Sequence, residues 1–251
     1  MDKSLSFLDN ASNDDLKVLT DIITLDRKGY PRATETLTFT DGYKENYPHN
    51  IRAFLPRLIE ELEHFGGNTF ANIIRGEGVP YSRILRKVAK RLKAKFDSND
   101  SDEAIERALL EKLLEDTLEN ASNEELKELV KEIGDTSGNV FQNSKGFSRQ
   151  ATITALMTAF RHGAFGSYQL TLAIVNNMVR FVLGRGLTLA ANATLTRVAS
   201  IFVGPAGWIA MGLWTVIDIA GPAYRVMIPA VVQIAYMREI DRLKRLKILP
   251  G

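Results

Sequence analysis

Apolar positions along this chain change their spacing from one half to the other. In the first half they recur every three to four residues, which places them on one face of a helix. From Val198 to Met237 they run almost unbroken, forty residues with two charges, Asp218 and Arg225. Ser12 and Asp15 form a capping box, with Asp in place of the usual Glu, for a helix carrying Leu16, Leu19, Ile22 and Ile23. Residues 25–48 have no period and read as coil, TETLTFT included, because a lone strand has nothing to pair with. A helix from Asn50 to Phe65 is ended by Gly66-Gly67, and a short one from Asn68 to Arg75 by Gly76. Pro80 opens a two-faced helix reaching Phe96, and helices over about 102–118 and 123–133 follow. Beyond Arg149 everything reads as helix, over 150–161 and 168–183 first.

The apolar stretch has its own punctuation. Gly204-Pro205-Ala206 recurs as Gly221-Pro222-Ala223, and a Gly that closes one helix before a Pro that opens the next is a stop-start signal. Three helices result, over about 186–203, 205–220 and 222–246, the last bent at Pro229. The middle one would be about 24 Å long, ordinary for a buried helix and short for a tilted membrane span. The predicted fold is all-α: a multi-helix bundle in which a charged N-terminal helical layer surrounds an apolar C-terminal hairpin, residues 205–237 innermost. Trp208, Trp214 and Tyr224 mark that hairpin, with Pro205 and Pro222 as its joints. Either the protein encloses it or a lipid bilayer does.

Charge sharpens the contrast. Residues 1–135 carry 20 Lys/Arg against 27 Asp/Glu, net −7; residues 136–251 carry 12 against 3, net +9. An apolar, cationic half suits an anionic lipid surface, or a close fit against the acidic half of its own molecule. Three regions are expected, 1–45 as a small helical module, 46–135 as a charged helical region and 136–251 as the apolar, cationic part, the last boundary at the Gly-, Ser- and Asn-rich 135–148. The phrase Leu8 to Leu19 returns as Leu118 to Leu129, with a second box at Ser122 and Glu125, a small duplication or two helix starts shaped alike by capping. With no cysteine and an acidic start without an apolar run, the expected address is the cytoplasm, including the inner face of the inner membrane.

One helix is strongly one-sided. Tyr81, Ile84, Leu85, Val88 and Leu92 form its apolar stripe, while Arg83, Arg86, Lys87, Lys90 and Arg91 stand opposite without an acid among them. The simplest partner is intramolecular, since 97–135 holds 14 acids and 4 bases; anionic lipid and a protein partner are alternatives, and nucleic acid is disfavoured.

Little in the sequence points to catalysis. Glu61-Leu-Glu-His64 has the spacing of one di-iron ligand pair, but such bundles need a second pair and two further glutamates. The glycines at 66, 67, 76 and 78 lack a GxxxxGK pattern. No metal or cofactor is expected. Asp218 is the residue most in need of a partner, with Arg225 and Arg197 as candidates for a buried ion pair.

ELEHFGGNTFANIIRGEGVPYSRILRKVAKRLK (60–92) and AGPAYRVMIPAVVQIAYMR (220–238) resemble the bacterial YaaW-like family of uncharacterised proteins, and FLDNASNDDLKVLTDII resembles the module preceding them there. The resemblance implies no catalytic residues. In design, though in no motif, a helical body hiding an apolar hairpin is similar to colicin pore-forming domains. The expected function is therefore non-enzymatic: membrane association through the C-terminal half, extending to a pore-forming effector. The alternative is a soluble interaction or assembly module, covered by itself, by a homo-oligomer or by another protein.

Overall fold

A computed structural model describes residues 3–33, 35–69, 78–127, 129–130, 148–163, 165–183 and 224–249. The expectations for residues 184–223, including both Gly-Pro joints, Arg197, Trp208, Trp214 and Asp218, lie outside the described residues, as does the short helix expected over 68–75 beyond Thr69.

The fold is an all-α bundle. A 3₁₀ turn, Lys3–Asn10, leads into α1 (Asn13–Thr24), whose N-terminus has the predicted Ser12 cap but half of the reciprocal box: the Ser12 hydroxyl accepts from the Asp15 amide at 3.0 Å and donates to the Asp15 carboxylate at 2.6 Å. The excursion expected as coil is partly helical, with a 3₁₀ turn at Leu37–Phe39 and α2 (Asp41–Asn46). Thr40 provides the local reason, its hydroxyl accepting from the Tyr43 amide. Helix α3 (Leu55–Thr69) follows a 3₁₀ turn at Ile51–Phe54 and continues through Gly66-Gly67 instead of stopping there. Glycine weakens a helix by roughly 1 kcal/mol, too little to end one on its own.

Helix α4 (Tyr81–Arg91) is shorter than its pattern predicts. Lys93 takes a left-handed φ of 58° and Ala94 donates back to the Ala89 carbonyl at 2.9 Å, a C-terminal cap that ends the helix before Phe96. Helix α5 (Asp102–Asn120) starts at a Ser101 cap, with Asp102 and Glu103 on its positive end. The second predicted box is formed reciprocally: Glu125 N–H donates to Ser122 Oγ at 3.2 Å and Ser122 N–H to Glu125 Oε2 at 2.7 Å. Helices α6 (Arg149–Arg161), α7 (Phe165–Leu183) and α8 (Tyr224–Arg245) complete the described bundle.

Helix α8 is its axis. Every residue from Val226 to Met237 is buried, Pro229 included, so this helix is apolar all round because it is enclosed all round. It packs on α7, α1, α5, α4, α3 and the N-terminal turn. At about 1.5–3 kcal/mol per large aliphatic side chain buried, Val226, Met227, Ile228, Val231, Val232 and Ile234 are a principal source of cohesion. For residues 226–237, the expectation of an innermost segment is met, whereas Tyr224 is half-buried and Arg225 exposed.

The divided charge is partly used inside the molecule. Arg161 pairs with Glu111 at 2.7 Å, Arg238 with Glu106 at 2.5 Å, and Arg149 donates to the Leu118 and Glu119 carbonyls at the end of α5. The cationic half thus binds the acidic half through three arginines, two on carboxylates and one on a helix C-terminus.

Candidate functional site

The densest convergence of ionisable side chains lies where α8 meets α4, α5 and the start of α7. Glu106 is 2 % exposed and sits at its centre. Tyr81, the first residue of α4, donates its hydroxyl to Glu106 Oε1 at 2.7 Å. From α8, Arg238 donates through Nε to Glu106 Oε2 at 2.5 Å and through Nη2 to Oε1 at 3.2 Å. The same Nη2 reaches the Ser4 carbonyl at 2.8 Å, and the guanidinium lies 4.1 Å from the centre of the Phe7 ring. One arginine therefore holds α5 and the N-terminal turn to α8.

A small cleft opens beside this group, lined among others by Glu103, Arg107, Ser167, Glu239 and Arg242. Arg242 binds Glu239 through two nitrogens, at 2.7 and 2.8 Å, and Ser167 Oγ donates to Glu239 Oε1 at 3.3 Å. Arg107 donates to the Arg161 carbonyl at 2.7 Å and Arg242 to the Gly163 carbonyl at 2.9 Å, so two guanidiniums close the C-terminus of α6.

Electrostatics follow from enclosure. Burial raises Glu106 above the ordinary carboxylate range, while Arg238 and the Tyr81 hydroxyl pull it partly back. Burial, then the Glu106 charge, holds the Tyr81 phenol well above its usual value, so Tyr81 acts as a donor. Where α1 meets α7 and α8, Tyr168 is pushed up to about 12 by burial and Asp15 is raised for the same reason. The Gln233 amide donates to the Asp15 carbonyl at 3.1 Å, a second tie between α8 and the front of the chain.

Chemically, this network binds helices together. Glu106 accepts three hydrogen bonds, and Glu239 is held by a bidentate arginine, so neither is placed as a base. Ser167 has only that arginine-bound Glu239 as a neighbouring base, which does not make it a nucleophile. Among the described residues no group of three or more His, Cys, Asp or Glu converges to hold a metal. Glu61, half of the ligand-like pair in the sequence, is buried and accepts from the Thr36 amide at 3.2 Å and the Thr36 hydroxyl at 2.7 Å, while His64 is exposed.

The residues singled out in the sequence lie elsewhere. On α4, Arg83 and Lys90 are exposed; Arg86 donates to the Asp100 carbonyl at 2.7 Å; Lys87 is half-buried, its ammonium lowered by burial and by the Arg83 charge. Arg91 lies 5.8 Å from the ring centre of the half-buried Tyr224, and Arg225 is exposed in the first turn of α8. Sequence reasoning missed Glu106 and Arg238. A signal existed: Glu106 lies three, four and seven residues before Leu109, Leu110 and Leu113, on the buried side of α5.

A family model described as ubiquinol-cytochrome C chaperone matches residues 56–232, and one described as a domain of unknown function, DUF3944, matches residues 1–33. No solved structure matches the chain. A UPF0174 protein of Helicobacter pylori strain J99 is 40% identical over 237 residues, covering 94% of this chain and 91% of the relative. Another, from Helicobacter pylori strain 26695, is 38% identical over 205 residues, covering 81% and 96%. The UPF0174 protein YaaW of Escherichia coli K12 is 32% identical over 241 residues, covering 95% and 94%. With relatives this similar along nearly the whole of both chains, the protein belongs to the UPF0174 family, the YaaW-like proteins, and to the family of the ubiquinol-cytochrome C chaperone model.

Proposed function

We propose that the protein is a non-enzymatic, chaperone-type module that binds another polypeptide during its assembly. The match of residues 56–232 to an assembly-chaperone family carries this reading, because it covers α3 to α7 and the first part of α8. The cleft supports it: two of its three carboxylates, Glu106 and Glu239, are engaged by arginines that also hold backbone carbonyls. A helical scaffold in which the arginine-held Glu106 and Glu239 are not poised as bases suits binding better than turnover. This reading takes up the alternative from the sequence; the leading expectation there is membrane association of the C-terminal half, extending to pore formation, and among the described residues no helix is long and apolar enough to cross a membrane.

Photo-crosslinking from surface positions of the full chain in its own host tests the reading. Recovery of a defined polypeptide, retained by newly made copies of that polypeptide more than by mature ones, is expected. Crosslinks to no polypeptide, or turnover of a small molecule by the purified chain, would remove it.

A further inference from the structure

The outer face of α4 holds cations that the fold leaves exposed, Arg83 and Lys90 among them. Tyr81, Ile84, Leu85, Val88 and Ala89 are buried on its inner side, so the helix is anchored in the core and presents the opposite side outward. At 100° per residue, Arg83, Arg86, Lys87, Lys90 and Arg91 fall within an arc of roughly 140°. Contact with the acidic α5 and the residues just before it is made by the buried stripe, through Tyr81 to Glu106, and nearer the edge by Ser82 to Asp102 and Arg86 to the Asp100 carbonyl. Among the described residues, Arg83, Lys90 and the following Lys93 and Lys95 are exposed cations that pair with no acid. The intramolecular neutralisation expected from composition thus leaves out Arg83, Lys90, Lys93 and Lys95.

We propose that this face docks on an anionic lipid surface, its cations binding phosphate headgroups. Charge complementarity is the first argument, since exposed cations on α4 (Arg83, Lys90) and just beyond it (Lys93, Lys95) are attracted by a polyanionic plane without needing a pocket. Position is the second. The face ends at Arg91 beside Tyr224, where the chain emerges from the nearly charge-free sequence 198–223. Cationic and amphipathic aromatic groups side by side match the headgroup layer of a bilayer, where tyrosine rings concentrate. An acidic polypeptide would account for the charge alone. The proposal adds a location to the protein-binding reading and does not depend on it.

Flotation with vesicles of equal parts phosphatidylglycerol and phosphatidylcholine tests it, with pure phosphatidylcholine as control. The full chain should float with the anionic vesicles only and be released by raised salt. Arg83→Glu with Lys90→Glu and Lys93→Glu should lower its partitioning by roughly 100-fold. The neutral triple variant with Gln at the same positions provides a milder version, and circular dichroism checks the fold of each. Lys244→Glu with Lys247→Glu, at the other cationic segment, should change little. Absence of flotation by the wild type, unchanged flotation of both α4 variants, loss through the 244/247 variant instead, or retention on poly-glutamate without flotation would each overturn the proposal.

Discussion

Arg238 and Glu106 meet at 2.5 Å across 132 residues of chain, each largely withdrawn from water, and the arginine's other nitrogen holds the carbonyl of Ser4. Removing one partner from such a pair strands the other. Arg238→Met should destabilise the protein by about 3–5 kcal/mol in urea unfolding, and Glu106→Leu combined with it should recover much of that. Equal loss in the single and double variants would show that the Ser4 and Phe7 contacts of Arg238 matter more than its charge.

The same glutamate carries a pH signature. Its carboxyl is raised in the native state, so the folded form holds the proton more firmly than the unfolded one. Its contribution to stability is therefore fully present below the unfolded value near 4.5 and is lost as pH rises through the higher native value. Against a Glu106→Gln reference, which cannot titrate, wild-type stability should decline across that rise. A wild-type-minus-variant difference that stays flat, or grows with pH, contradicts the burial argument.

Gly163 closes α6 at a φ of +66°, and a Cβ there would meet Arg107 Nη2 at 3.0 Å and Arg242 Nη2 at 3.3 Å. Both are ends of flexible side chains, so the backbone dominates. Gly163→Ala should cost about 1–2 kcal/mol by thermal or urea unfolding. A neutral result would mean that the turn can relax out of the left-handed region.

Both helix starts are capped by a serine, reciprocally at Ser122 and through the hydroxyl alone at Ser12, and Ser12→Ala and Ser122→Ala should each cost about 1 kcal/mol. Hydrogen exchange should show faster opening of the first turn of α1 in one variant and of the amides after Ser122 in the other. Protection unchanged in both would indicate that tertiary packing, not the cap, fixes these starts.

Much of the bundle was legible because helical periodicity and caps are local. The stripes of α1 and α4, the caps at Ser12 and Ser122, and the burial of Val226 to Met237 all follow from neighbours in sequence. Boundaries were less legible where packing prevailed, as when α3 ran through Gly66-Gly67. The centre of the cleft was not legible. Glu106 resembled one more acid on an acidic helix and Arg238 the first of a cationic tail, since only space, not spacing, makes them partners. The same limit applied to α4, whose cations and the acids of α5 are close in composition yet largely turned apart in the fold.

Helix α8 is the last described helix and also the one the others surround. During synthesis, α1 to α7 leave the ribosome able to pack on one another but without the helix they surround. Ser4 waits for Arg238 and Asp15 for Gln233, separations of 234 and 218 residues. Completion of this core is thus obliged to follow synthesis of α8, and a nascent chain stalled before residue 224 should need shelter from holdases.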